Sequence, residues 1–339
     1  MKTLIIRTDR LGDFYQTIPY INCLKRTYGK KNIDIVVKKH IYPHIKKKKY
    51  LYNNLYPFNE KGIFSKIRLI FELRKNKYNQ IIIFDGKDRS LILSKFLKAS
   101  KILCNYPVKK INFFYKIFFS KKYNTYHDNQ ITPVKYIYKK ILDKINVKTI
   151  KKDFKILLHK SVKTINIFKN ENIGDKTYTL LHVDEKWFSD FYIKDFTNIN
   201  PKKNEFLLFI KKIIRKKKTN LIITTGTIDL PFVKKISTKY FSTHPRGYHF
   251  LIYGNFKIIL LKKISIEYLE IITMNANNVI TCHGPISLIA GSFKINLIDI
   301  IDKKREKWYY RFTSHITKYN MFYRNNFNKL SKKIILKIK

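Results

Sequence analysis

The chain predicts an α/β protein made of two doubly wound, Rossmann-like domains. Three observations predict it. Short, wholly apolar runs recur along the 339 residues, and stretches with apolar residues at helical spacing alternate with them. Several runs end in glycine-containing turns, where a strand can hand over to a helix without steric conflict. The length exceeds what one ordinary core organises and fits two domains of ~100–200 residues each.

The first run, residues 4–6 within MKTLIIRTDRLGDFYQTIPY, reads as a buried parallel strand. Gly12 reads as the turn residue that follows, and Asp13 as the start of a helix, where a carboxylate caps free backbone N–H groups. IDIVV (33–37) is the second strand, and 63–73 is a helix by its apolar spacing. YNQIIIFDG (78–86) is a third strand running into a turn, 90–97 a short helix, and SKILC (100–104) a fourth strand. Ligands of such sheets bind outside the carboxyl ends of the strands. The Gly12-Asp13 and Asp85-Gly86 turns both fall there, so they can share one rim.

The polar stretch 160–177 ends in Gly174-Asp175 and marks the boundary, giving an N-terminal domain over 1–165 and a C-terminal one over 176–302. TYTLLHV (177–183) is its first strand, 205–214 a helix, and LIITT (221–225) a strand ending at Gly226. FKIILL (256–261) and NVITC (278–282) are further strands, with 266–275 a helix between them. His283-Gly284-Pro285 then opens a helix through Ala290, with Pro at its first turn. Residues 303–339 form a basic, aromatic tail (Trp308, Tyr309, Tyr310, Phe312) expected to pack back on the domains. The chain has no dinucleotide GxGxxG fingerprint and no short fixed-period repeat.

Charge is the loudest feature of the composition: 71 Lys+Arg against 23 Asp+Glu, a net of +48. Lys, Ile, Asn, Tyr and Phe are all abundant, the pattern of A+T-rich codons, which accounts for part of the excess. The charge still draws the protein to polyanions, either nucleic acid or an anionic membrane surface. No RNP-like, KH-like or zinc-finger pattern is present, so no specific nucleic acid is expected. The three cysteines (Cys23, Cys104, Cys282) are widely spaced and odd in number, which argues against a disulfide framework and suits a reducing compartment. Neither a signal-peptide core nor an apolar run near ~20 residues is visible, so a cytoplasmic protein is expected, attached to a membrane only at its surface. VKKINFFYKIFFSKKY (108–123) is either an aromatic-rich helix on the sheet or a membrane-facing element, and the lysine run 46–49 could add to such a patch. No DxD-like or His/Cys cluster suggests a metal.

IIRTDRLGDFYQTIPYINCLK, with its strand, Arg7, Gly12-Asp13, Thr17 and Pro19, resembles the opening of the lipopolysaccharide heptosyltransferase family, glycosyltransferase family 9. The resemblance implies a GT-B fold, two Rossmann-like domains facing a cleft, with Asp13 as catalytic base. Arg10 and Gly12 would join it on the acceptor side. Asp85, Arg89 and Ser90 match an Asp-x-x-x-Arg-Ser-like turn of the family that would position the acceptor; a simple turn and N-cap is the other reading.

VITCHGPISLIAGSF resembles the family's second signature, a strand followed by Asp-Ser/Thr-Gly-Pro-x-His-x-Ala. Gly284 and Pro285 are kept, while Cys282, His283 and Ser287 replace its Asp, Ser/Thr and His. A helix N-terminus there can hold phosphate through backbone N–H groups, with His283 as an added donor. In LLHVDEKWF the Lys186-Trp187 pair matches a family lysine that contacts the donor phosphates. Gly226 and Asp229 in TTGTIDL match a Gly-x-x-Glu stretch whose acid touches the donor's ribose or sugar; a helix cap is the alternative for Asp229.

Taken together, the resemblance implies an inverting, metal-independent transferase that needs no cofactor. It would move heptose or a related sugar from a nucleotide diphosphate donor to a lipopolysaccharide core or other lipid-linked glycan at the inner membrane face. Two other readings stand beside it: a catalytically degenerate binding protein of the same fold, motivated by Cys282 and Ser287, and a nucleic-acid-binding protein, motivated by charge.

Overall fold

The computed structural model describes residues 1–108, 123–129, 131–154, 171, 173–174, 177–188 and 199–338. Most of the 108–123 aromatic stretch and of the polar boundary segment lies outside these. The chain divides into two compact units, Met1–His159 with Tyr310–Ser314, and Lys160–Tyr309 with His315–Lys339.

The first unit is organised on a parallel sheet of order β3-β2-β1-β4-β5-β6. Its strands are β1 (Thr3–Arg7), β2 (Ile33–Lys38), β3 (Leu55–Phe58), β4 (Gln80–Ile83), β5 (Lys101–Pro107) and β6 (Tyr123–Asp128). β1, β2 and β4 are buried almost throughout, as apolar strands covered on both faces must be. The described helices are α1 (Leu11–Tyr28), α2 (Tyr42–Lys46), α3 (Ile63–Arg74), α4 (Asp88–Lys95) and α5 (Val134–Asp143). Leu69 and Leu73 of α3 and Leu91 and Leu93 of α4 share one cluster with Leu4, Ile6, Ile81 and Ile83. Strand order reverses between β1 and β4, so the loops after these two strands flank the switch point where ligands of doubly wound sheets bind.

The second unit carries the sheet β14-β13-β12-β7-β8-β11-β10-β9. All its neighbours pair in parallel except β9 with β10 and β10 with β11. The strands are β7 (Tyr178–Val183), β8 (Asn220–Thr225), β9 (Ser242–Thr243), β10 (His249–Tyr253), β11 (Phe256–Leu261), β12 (Asn278–Cys282), β13 (Asn296–Ile301) and β14 (Tyr319–Tyr323). The helices are α6 (Lys203–Lys217), α7 (Pro231–Tyr240), α8 (Ile266–Met274), α9 (Pro285–Ser292), α10 (Glu306–Thr313), whose residues from Tyr310 on belong to the first unit, and α11 (Phe327–Lys337). Trp187, Phe206, Phe209, Phe327 and the α6 isoleucines form the core on one face. Residues 303–339, expected as a tail, include β14, which extends the sheet beside β13.

One local expectation is corrected. Gly12 is not a turn residue: α1 begins at Leu11, and Gly12 lies in its first turn. The reason is Asp13, whose carboxylate accepts the Arg10 N–H at 3.3 Å and so starts the helix before the glycine. In the lysine run 46–49, Lys46, Lys47 and Lys49 are exposed, while Lys48 is buried with its ammonium 5.4 Å from the centre of the Tyr15 ring.

Candidate functional site

In the first unit the carboxyl ends of β1 and β4 gather the predicted acceptor-side residues. Arg7, the last residue of β1, is almost fully buried. It donates through Nη1 to the Phe84 carbonyl and to the Tyr138 hydroxyl (2.7 Å). Its Nη2 stands 3.8 Å from Asp9 and 3.8 Å from Asp13. Burial works against its charge, but Tyr138, Asp13, Asp9 and Asp85 together hold it above its ordinary pKa. Arg7 is thus a fixed cation shared by two carboxylates, one of them the predicted base. The Asp13 side chain is 30% exposed, so it is pinned from behind and open in front.

Asp85 is buried and tied into the surrounding loops. One oxygen accepts from the Thr8 N–H (2.8 Å), the Thr8 hydroxyl (2.8 Å) and the Ser90 hydroxyl (2.7 Å). The other accepts the Lys87 N–H at 3.1 Å. Arg89 adds to the same lock, donating to the Thr8 hydroxyl at 2.8 Å and the Thr8 carbonyl at 2.7 Å. Arg89 also pairs with Glu60 at 2.5 Å and lies 3.7 Å from Asp9. Asp85, Ser90 and Arg89 therefore tie the β4–α4 loop to the loop that presents Asp9, Arg10 and Asp13.

Asp9 was not singled out from the sequence. It is ringed by Arg7, Lys87 (3.9 Å) and Arg89, yet burial pushes its carboxyl up to about 6. Its only signal in the sequence is its place between Arg7 and Gly12 at a strand's end.

In the second unit the loops after β12, β7 and β8 come from adjacent strands. Lys186 follows β7; its ammonium bonds Asp184 at 2.6 Å and the His283 carbonyl at 2.9 Å. Burial alone would lower its pKa, but Asp184 overrides that and holds the lysine above its ordinary value. A Cβ on Gly284 would lie 3.0 Å from this ammonium, so glycine at 284 is what lets Lys186 come this close to the start of α9. Gly226 stands at the same place: its Cβ would lie 3.5 Å from the side chains of Asp184 and Glu185. Trp187 is fully buried and donates its indole N–H to the His182 carbonyl, which fixes the β7 loop.

Asp299, fully buried on β13, organises the altered signature. It accepts from His283 Nδ1 at 2.7 Å, Ser287 Oγ at 2.8 Å and the Tyr319 hydroxyl at 3.0 Å. Its carboxylate acceptor places the His283 proton on Nδ1. Ser287 gives its hydroxyl hydrogen to Asp299 and accepts the Gly284 N–H at 3.3 Å, so it shapes the loop. Cys282 is buried, and burial pushes its thiol up to about 12. Pro285 takes the first position of α9. Asp229 is not drawn into this group: its side chain is 81% exposed and pairs with Lys263 at 2.5 Å. The sequence signal for Asp299 was a single acid inside the apolar run NLIDII; that for Asp184 was its place two residues before Lys186.

Among the described residues, no group of three or more His, Cys, Asp or Glu side chains is placed to hold a metal, and no helix is long and apolar enough to cross a membrane.

No family model matches the chain. A stretch of 134 residues is 31% identical to lipopolysaccharide heptosyltransferase 1 of Campylobacter coli; the match spans 38% of this chain and 38% of that protein's length. A glycosyl transferase family 9 structure from Veillonella parvula matches with a TM-score of 0.67 at 14% identity, over 100% of this chain and 90% of that one. The E. coli heptosyltransferase WaaC, solved with ADP, matches with a TM-score of 0.65 at 11% identity, over 98% and 99%. The chain resembles the family 9 heptosyltransferases in sequence over that stretch and has their two-domain α/β, GT-B-type fold.

Proposed function

We propose that this chain is a family 9 glycosyltransferase that moves a sugar, heptose or a close relative, from a nucleotide diphosphate donor to a lipopolysaccharide core or other lipid-linked glycan. The observation that carries the reading is the Lys186 ammonium held against the start of α9 by Asp184, the His283 carbonyl and the absence of a side chain at Gly284. An ammonium has three hydrogens; Asp184 and His283 take two, and the third serves a phosphate oxygen. Beside it, the first turn of α9 contributes the positive end of its helix dipole and the Ile286 N–H, since Pro285 has none and the Gly284 and Ser287 N–H groups are bonded within the loop, a combination that suits a departing diphosphate. That WaaC was solved with ADP, and that the Campylobacter coli relative is a heptosyltransferase, support the choice of donor.

The reaction is a single displacement with inversion. Asp13 takes the proton of an acceptor hydroxyl as its oxygen attacks the anomeric carbon, and the bond to the nucleotide diphosphate breaks on the opposite face. Lys186 and the α9 N-terminus neutralise the charge that develops on the leaving group, so no metal or cofactor is required. Arg10 and Gly12 lie in the helix start that presents Asp13, and Asp85 and Arg89 keep that start in place. Cytoplasmic location, at the inner face of the membrane, follows from the substrates.

The test is transfer from a panel of nucleotide sugars including ADP-heptose to a crude lipopolysaccharide acceptor. Asp13→Ala should lower kcat at least about 100-fold while donor binding survives. Lys186→Met should lose donor binding and transfer together. Donor binding without turnover on any sugar would favour the degenerate binding protein, a reading that Cys282 and Ser287 motivate. Absence of any nucleotide binding would sink the proposal.

A further inference from the structure

Helix α3 has two apolar faces, and among the described residues only one of them is covered. Leu69 and Leu73 point into the core of the first unit. Ile63, Phe64, Ile67 and Phe71 recur at helical spacing on another face and are exposed, Phe64 at 88%, Ile63 at 71% and Phe71 at 60%. An outward helical face is ordinarily polar, and scattered single apolar residues need no account, but a contiguous stripe does. The Arg74 guanidinium at the end of α3 donates to the carbonyl of half-exposed Phe96, just past the end of α4, at 2.7 Å.

Charge surrounds this surface. Between residues 60 and 77 the chain carries Lys61, Lys66, Arg68, Arg74, Lys75 and Lys77 against Glu60 and Glu72. An apolar stripe rimmed by cations suits an anionic lipid surface, where rings and aliphatic chains enter the headgroup boundary and lysines meet phosphates. The geometry also ties the stripe to the site. Glu60, three residues before Ile63, pairs with Arg89 and with Lys38 (2.5 Å each), and Arg89 holds the loop bearing Asp9 and Asp13.

We propose that α3 and the end of α4 dock this chain on an anionic bilayer, seating Phe64, Ile67 and Phe71 among the lipids so that a lipid-linked acceptor emerges beside the Asp13 rim. The inference rests on the reading of a lipid-linked acceptor for its purpose, but not for its test.

The test is vesicle flotation with the full chain, using phosphatidylethanolamine–phosphatidylglycerol vesicles and pure phosphatidylcholine vesicles. Wild type should float with the anionic vesicles. The triple variant Phe64→Gln/Ile67→Gln/Phe71→Gln keeps helix-compatible residues at exposed positions and should retain the wild-type Tm and circular dichroism. Its partitioning should fall at least about tenfold at moderate salt. Phe64→Trp should keep wild-type partitioning and show blue-shifted emission on anionic vesicles. Equal partitioning of triple variant and wild type would overturn the proposal, since binding would then be charge alone. So would a wild-type dimer that becomes a monomer in the triple variant without change in flotation, because the stripe would then cover a second copy. Stripe-dependent flotation in a protein that binds no nucleotide sugar would leave the docking surface standing and remove the transferase reading.

Discussion

Asp9 and His182 are titratable side chains that the fold has largely removed from water, and they respond to pH in opposite senses. Burial raises the Asp9 carboxyl from 3.8 to about 6, so the folded state binds its proton more tightly than the unfolded chain does. Stability from this residue therefore falls as pH rises from about 4 to about 6. His182 bonds Thr224 at 2.9 Å, and burial lowers it from 6.5 to about 4. Here the unfolded chain binds the proton more tightly, and stability rises with pH across about 4 to 6.5. At 1.36 kcal/mol per pKa unit each residue contributes about 3 kcal/mol across its window, and where the windows overlap the two nearly cancel. Asp9→Asn should therefore gain Tm relative to wild type as pH rises from 4 to 6, and His182→Gln should lose it. Thermal melts of both variants at matched pH check this, and parallel curves for variant and wild type would refute it. These residues also mark what was legible at this scale. Arg7, Asp13, Lys186 and Gly284 stand in recognisable motifs at strand ends and helix starts. Asp9, Asp184 and Asp299 do not, because their importance comes from neighbours brought in by other strands.

Strands and turns were more legible than single contacts, for a physical reason. β1, β2, β4, β7 and β12 are buried almost throughout, so their sequences are dominated by apolar residues and announce themselves. β3 (LYPF) carries a proline, β6 (YNTYHD) is polar, and β14 (YNMFY) sits half-exposed at the edge of its sheet. Edge and half-buried strands are defined by pairing partners, which no local pattern records. The β4–α4 turn shows what a legible element demands. Gly86 has φ +57, and a Cβ there would lie 2.8 Å from the Asn105 carbonyl oxygen and 3.1 Å from Pro107. Gly254 has nearly the same φ, +58, but nothing within 4 Å of its Cβ position. Gly254→Ala should thus cost only the left-handed backbone penalty, about 1–2 kcal/mol. Gly86→Ala adds a collision with backbone and should cost about 2 kcal/mol more. It should also displace Asp85, loosen the Thr8 lock and lower transfer. Denaturant titrations of the two variants measure the difference, and equal losses would show that the turn has room to shift.

For the whole molecule, a net charge of +48 guarantees attraction to any polyanion, so attraction alone identifies no partner. Salt separates the possibilities. Between exposed charges the interaction is screened beyond about 8 Å at 0.15 M ionic strength, and binding by charge alone falls steeply and linearly on a log–log plot. Burial of Phe64, Ile67 and Phe71 in a bilayer is not screened, because it depends on apolar area removed from water. Wild-type partitioning to phosphatidylglycerol-containing vesicles should therefore decline gently with salt and keep a plateau, while binding to heparin or to random RNA declines steeply towards zero. The Phe64→Gln/Ile67→Gln/Phe71→Gln variant keeps every lysine and arginine, so its heparin curve should superimpose on that of wild type. Its vesicle curve should lose the plateau and fall as steeply as the heparin curve. A wild-type vesicle curve as steep as the heparin curve would mean that charge does all the binding and that the stripe on α3 has another use. An RNA plateau that survives high salt would instead make nucleic acid the partner that the charge serves.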